Sequence, residues 1–221
     1  MTPAPSEDAH YDARWGYRSF DARRYEQRRY GGIVRQLNHR LLERALAQGL
    51  SGVRKGGVVL DAPCGTGVLA DFLRGLGLRI VGADISPAML EVAKERGPVV
   101  GHVRADLERP PLRPESVDAV VSTRFLMHLP PALRPRVLRA MATLTRGPVV
   151  ATVCHPYTVK TFGRSVRAAL GRKVKKSPRL TRRELEAEVA SAGLRLERVI
   201  SVMPILSEVW VIVVHATPGA A

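Results

Sequence analysis

Two carboxylates, each closing an apolar run, and a glycine pair between them are the residues of this chain best placed for chemistry. Val58-Val59-Leu60 ends on Asp61, and Ala62-Pro63-Cys64-Gly65-Thr66-Gly67 crosses from there into the helix-like pattern Val68-Leu69-Ala70-Asp71-Phe72-Leu73. Further on, Arg79-Ile80-Val81-Gly82-Ala83 ends on Asp84. Glycines in such a turn remove the Cβ atoms that would hold a bound molecule off the main chain, and they permit positive φ. A glycine turn followed about 20 residues later by an acid is the nucleotide-binding βαβ layout, with the acid on the ribose hydroxyls. These residues point to an adenosine-bearing cofactor.

Asp61 decides which one. Gly65-Thr66-Gly67-Val68-Leu69-Ala70 fits the dinucleotide pattern G-x-G-x-x-G/A, which leaves an NAD(P)-dependent oxidoreductase open as an alternative. In a dinucleotide site, however, the pyrophosphate lies against this turn. A carboxylate at its mouth repels phosphate and favours a sulfonium and an ammonium, the two cations of S-adenosylmethionine. For a methyl transfer, the residues after the next strand matter: Ser122-Thr123-Arg124-Phe125-Leu126-Met127-His128. Arg124 and His128 are four apart and would share one face of a helical turn. His128 has the intrinsic pKa of a base for a hydroxyl or acidic carbon, and Arg124 suits an acidic or phenolate group on the acceptor. His155-Pro156-Tyr157 is a second candidate edge of the pocket.

The elements that must position these residues alternate. Strands are expected at 57–61, 79–84, 99–104, 117–122 and 148–154, with helices between them. One helix ends near Gly75, one is capped by Ser86 with Pro87 at its first position, and one runs from Pro130-Pro131 to Arg146. Thr181-Arg182-Arg183-Glu184 is a capping box opening a further helix that ends at Gly193. Residues 195–203 and 206–216 read as antiparallel strands joined at Met203-Pro204. Strands alternating with helices give an α/β fold with a mostly parallel sheet and helices on both faces. Ahead of these, Ile33, Leu37, Leu41, Leu42 and Ala45 recur at helical spacing. Six of the eleven aromatic residues fall between Tyr11 and Tyr30. That concentration predicts an aromatic-rich cap over 1–34, next to a main domain over 35–221.

With these motifs in order, the chain resembles the class I S-adenosylmethionine-dependent methyltransferases, in the small-molecule branch that includes quinone-biosynthesis C-methyltransferases. The resemblance implies a Rossmann-like seven-stranded sheet whose reversed last strand is inserted among parallel ones. It also implies roles. Asp61, Pro63, Gly65 and Gly67 form the loop around the methionine part, with Pro63 standing where the family usually has glycine. Asp84, followed by Ile85 and Met89, takes the ribose. Asp106 faces the adenine amino group, Leu107 lines the ring, and Ser122 ends the strand that faces the methyl group. Nucleobase amino-methyltransferases carry an Asn/Asp-Pro-Pro-aromatic loop where this chain has Ser122-Thr123-Arg124-Phe125, which counts against that chemistry.

Composition bounds the rest. A chain of 221 residues with 45% apolar content supports one core of ordinary size. No apolar run reaches the roughly 20 residues of a membrane helix, and no N-terminal secretion signal is evident. Cys64 and Cys154 lack disulfide or zinc-ligand spacing, so a reduced, cytoplasmic protein without a metal is expected. The net charge is +15, and Lys160 to Arg183 holds ten basic residues and no acidic one. That basic insertion near 159–183 keeps an RNA methyltransferase as an alternative to a small-molecule enzyme. A non-catalytic module that binds S-adenosylmethionine is the third. The acceptor atom (N, O or C) and the oligomeric state are left open by the residues.

Overall fold

The computed structural model describes residues 33–159, 161 and 179–217. The expected aromatic cap, residues 1–32 of it, and most of the basic insertion lie outside these. Among the described residues, helix α1 (Ile33–Gly49) precedes a regular alternation: β1 (Val58–Asp61), α2 (Ala70–Gly75), β2 (Arg79–Asp84), α3 (Pro87–Lys94), β3 (Gly101–Arg104) and β4 (Ala119–Ser122). A 3₁₀ turn at Leu126–His128 leads to α4 (Leu133–Thr143), β5 (Val149–Cys154), α5 (Arg182–Ser191), β6 (Leu194–Ser201) and β7 (Val209–Ala216).

Seven strands form one sheet in the order β3-β2-β1-β4-β5-β7-β6. Strands β1 to β5 are parallel, and β7 lies antiparallel between β5 and β6. This is the Rossmann-like arrangement that the motif order implied. The strands are apolar at consecutive positions because both faces are covered. Val59, Val121, Val150 and Val213 pack with Leu42, Ala45 and Leu46 of α1 and Leu73 of α2. Their neighbours Leu60, Val120, Val149 and Val214 belong to the other layer, with Val137, Leu138 and Met141 of α4 and Leu185 and Val189 of α5. Each such side chain, buried in full, contributes about 1.5–3 kcal/mol, so this alternation fixes which way every strand end faces.

Local signals set the boundaries. Ser86 Oγ caps α3 by accepting from Met89 N–H, with Pro87 in the first turn. Thr181 and Glu184 form the reciprocal capping box of α5. Several elements are shorter than their patterns predicted. The helix expected from Pro130 is regular only over Leu133–Thr143, and the strands expected from 99 and 117 begin at Gly101 and Ala119. The hairpin opens earlier on both sides, because Ser207 N–H bonds to Met203 O and Leu206 N–H to Pro204 O, closing a turn of its own. In α1 the buried face is Leu42, Ala45 and Leu46, continued by Leu50 just past its end; Leu37, expected there, is 55% exposed. No described helix is long and apolar enough to cross a membrane.

Candidate active site

Parallel packing puts the carboxyl ends of β1, β2 and β4 side by side, and a cleft opens there. It encloses about 980 Å³ of space, part of it open solvent. Of the residues singled out from sequence, Asp61, Pro63, Gly65, Asp84, Ile85, Met89, Arg124 and His128 line it. Gly67, Asp106, Leu107 and Ser122 do not. Leu107 is a core residue, and Asp106 Oδ1 accepts from Glu108 N–H at 3.1 Å in the loop after β3. Ser122 is fully buried at the end of β4, and its Oγ has no hydrogen-bond partner among the described residues.

The two glycines of the turn do different work. Both have positive φ, 54° at Gly65 and 72° at Gly67. A Cβ on Gly65 would meet nothing within 4 Å, so this glycine keeps the cleft wall low. A Cβ on Gly67 would stand 3.2 Å from Ala93 Cβ, so that glycine lets the turn sit against α3.

The carboxylates differ as well. Asp84 is anchored: Oδ2 accepts from Gly65 N–H at 2.9 Å and Oδ1 from Ser86 N–H at 2.9 Å. These bonds lock the acid of β2 onto the glycine turn of β1, and leave lone pairs on each oxygen for further donors. Burial pushes the Asp84 pKa up, partly offset by the N–H groups of Ser86, Gly65 and Ile85. Asp61 is 2% exposed, and its Oδ1 has no hydrogen-bond partner among the described residues. Burial, and after it the Asp84 carboxylate, push its carboxyl up to about 8. Burial and the same two acids push the Cys64 thiol up as well, which removes it as a nucleophile at neutral pH. A buried acid with one oxygen unpartnered among the described residues, beside a second acid, is a site for a cation and a poor one for pyrophosphate.

Across the cleft, Arg124 and His128 do not share a helical face as their spacing suggested. Arg124 sits before the 3₁₀ turn with φ of 54°, its N–H bonded to Thr152 Oγ1 of β5 at 2.6 Å. A non-glycine residue in that region stores about 1–3 kcal/mol and persists only where its surroundings fix it. His128 closes the turn with its N–H on Phe125 O at 2.8 Å, and its side chain is solvent-exposed at the cleft rim. His155 is instead a packing residue, stacked on Trp210 at 4.3 Å and pushed down in pKa by burial; it is not on the cleft wall.

The sequence reading missed His39 and Leu42 of α1, which also line the cleft. His39 Nε2 lies 3.2 Å from Glu43 Oε1, and burial pushes its pKa down, with Glu43 opposing. The signal was available: His39 stands three residues before Leu42 and seven before Leu46, on the same helical face. Thr123 and Phe125 complete the wall after β4. Among the described residues no cluster of three metal-ligating side chains occurs.

Comparison with known proteins agrees with this geometry. Residues 59–147 match the family model described as a methyltransferase domain. The chain is 35% identical over 90 residues to malonyl-[acyl-carrier protein] O-methyltransferase of Yersinia pestis, covering 41% of this chain and 32% of that protein. It is 36% identical over 94 residues to demethylmenaquinone methyltransferase of Beutenbergia cavernae, covering 42% of this chain and 39% of that one. The chain thus spans less than half the length of the curated relatives it matches. Among solved structures, magnesium protoporphyrin IX methyltransferase from Synechocystis PCC 6803 with bound SAH superposes with a TM-score of 0.72 at 19% identity, over 90% of this chain and 94% of that one. Residues 59–147 thus match a methyltransferase domain, the class of enzyme to which the motifs pointed.

Proposed function

We propose that this protein transfers a methyl group from S-adenosylmethionine to a small-molecule acceptor in the cytoplasm, through a single domain over 35–221. The observation that carries the reading is the buried acid pair at the head of the cleft, with Asp61 Oδ1 unpartnered among the described residues and Asp84 locked to the Gly65 N–H. Those carboxylate acceptors fit a ligand with cationic groups and ribose hydroxyls, and no phosphate. The relatives named for malonyl-carrier and demethylmenaquinone substrates support an acceptor outside nucleic acids.

When bound, S-adenosylmethionine supplies a sulfonium methyl that moves in line to the acceptor while the thioether leaves. The chain contributes position and charge. Asp61 holds the cationic methionine end, Gly65 gives it main-chain access, and Asp84 accepts the ribose hydroxyls beside Ile85 and Met89. Pro63 and Gly67 shape the turn, and Asp106, Leu107 and Ser122 support the adenine and methyl sides from behind the wall. His128 takes the proton of a hydroxyl or acidic carbon, and Arg124 orients an acidic group on the acceptor. Positioning supplies most of the rate, and the base adds about 10²–10⁴-fold where a proton must leave.

Methyl-labelled S-adenosylmethionine incubated with the protein and a cell extract tests this. Label should reach the organic phase whether or not nuclease is added. Label that stays aqueous until nuclease releases it would transfer the activity to RNA, and no transfer to any fraction would leave a binding module.

A further inference from the structure

Outside the cofactor cleft, Ile205 breaks a local rule. It stands in the turn between β6 and β7 with φ of 56°, a left-handed conformation that is an outlier for a β-branched residue. It is also 66% exposed, so burial in the core does not offset the strain. Glycine or asparagine would make this turn with less strain. The chain keeps an aliphatic side chain in water instead, and not only here. Among the described residues six large apolar side chains are more than half exposed, and four of them, Tyr157, Val159, Ile205 and Leu206, belong to this turn and to the segment after β5. Val159 N–H bonds to Ile205 O at 3.0 Å and His155 N–H to Glu208 O at 2.9 Å, so the two segments run side by side. Single exposed apolar residues are ordinary, whereas a cluster marks a contact surface.

We propose that this face docks on an anionic membrane surface, with Val159, Ile205 and Leu206 entering the interfacial layer. Charge selects that partner. The chain leaves the face at Val159 and returns to it at Arg179, whose guanidinium lies 2.9 Å from Glu208 Oε2 in the same turn. Between these two points the sequence holds seven basic residues and no acidic one. Both ends of this cationic stretch are therefore tied to the apolar turn. On the flanking elements, Glu208 pairs with Arg179, Glu186 pairs with Arg182, and Glu184 caps α5. Aliphatic side chains beside concentrated lysine and arginine gain both terms of interfacial binding, burial of apolar area and attraction to anionic headgroups. A nucleic acid would use the charge but not the valine, isoleucine and leucine, because bases stack on aromatic rings and arginines. Leu206 also lines a second cleft, of about 730 Å³ of partly open space, which shares Leu42 and Arg124 with the first. Lipid against the turn would lie beside this cleft; on the methyltransferase reading, an apolar acceptor enters the enzyme there.

The test is cosedimentation of the full chain with vesicles of phosphatidylcholine, with and without about one third phosphatidylglycerol. The mixed vesicles should bind at least tenfold more tightly, and about tenfold more salt should weaken that binding at least fivefold. Ile205→Glu and Val159→Glu together should weaken it at least tenfold and leave S-adenosylhomocysteine affinity within twofold. Ile205→Gly relieves the strained turn, so it should keep or raise the melting temperature while weakening vesicle binding at least threefold; a purely structural role for Ile205 would not separate the two. The proposal is overturned if neither vesicle binds, if both bind equally, or if the variants bind as the unmodified chain does. It is also overturned if a single-stranded RNA competes the vesicles off and binds the variants unchanged, which would give the basic stretch to RNA. Vesicle binding without S-adenosylhomocysteine binding would sustain the docking face and bring down the methyltransferase reading alone.

Discussion

The two halves of the cleft are built in opposite ways. The cofactor half is assembled from residues 61 to 89, nearly contiguous in sequence, and its key contacts are backbone ones: Gly65 and Ser86 N–H groups on the two oxygens of Asp84. The other half, which we assign to the acceptor, draws on α1, the segment after β4 and the β6–β7 turn, so that its lining residues Asn38 and Val209 stand more than 150 positions apart. The first half is a property of the fold, because a βαβ turn always places its glycines beside the next strand's end. The second is a property of this chain. Damage to the first should therefore abolish cofactor binding, and damage to the second should change which acceptor is used.

The largest effect expected is Asp84→Ala. It removes a charged acceptor for two ligand hydroxyls and leaves the Gly65 and Ser86 N–H groups without their partner. Two charge-assisted bonds amount to about 3 kcal/mol, so S-adenosylmethionine affinity should fall by about 100-fold or more in a folded variant. Next, His128→Gln should lower kcat about 100-fold on a hydroxyl acceptor, with S-adenosylmethionine affinity within fivefold. Equal losses in affinity and kcat would move His128 from the acceptor half to the cofactor half.

The acid pair makes a pH prediction. Asp61 titrates near 8 in the folded protein, well above an ordinary carboxylate. Its contribution to stability is therefore complete below the ordinary carboxylate range and is lost as pH rises through about 8. A cationic ligand favours the ionised form. Binding should therefore release a proton at pH 7, and affinity should rise by up to about tenfold per pH unit towards 8. Asp61→Asn should flatten both trends; calorimetry in buffers of different ionisation enthalpy reads the proton directly.

The smallest effect separates two glycines two residues apart in the same turn. Gly67→Ala meets Ala93 at 3.2 Å and should cost about 2 kcal/mol of stability. Gly65→Ala meets nothing and should cost about 1 kcal/mol of stability, yet weaken S-adenosylmethionine by tenfold or more. Melting curves and titrations on the same two variants distinguish packing from ligand access.

This contrast also explains what was legible in the sequence. Apolar runs alternating with helical patterns, and the turn after β1, revealed the sheet, the glycine loop and the acid pair, because each depends on residues adjacent in the chain. The capping residues Ser86 and Thr181 were readable for the same reason. The relation of Arg124 to His128 was misread: four-residue spacing implies a shared helical face, but Thr152, 28 residues away, holds Arg124 out of the helix. His39 was passed over because its place on the wall depends on how α1 docks on the sheet. Gly67 matched a ligand motif, and only the position of Ala93 reveals its packing role.

The most direct measurement is a calorimetric titration of the purified chain at pH 8 with S-adenosylmethionine and, separately, with NADH. One molecule of S-adenosylmethionine should bind per chain while NADH gives no heat, because the buried Asp61 and Asp84 attract a cation and repel pyrophosphate. Binding of NADH, with none of S-adenosylmethionine, would contradict the assignment of the cleft and everything built on it.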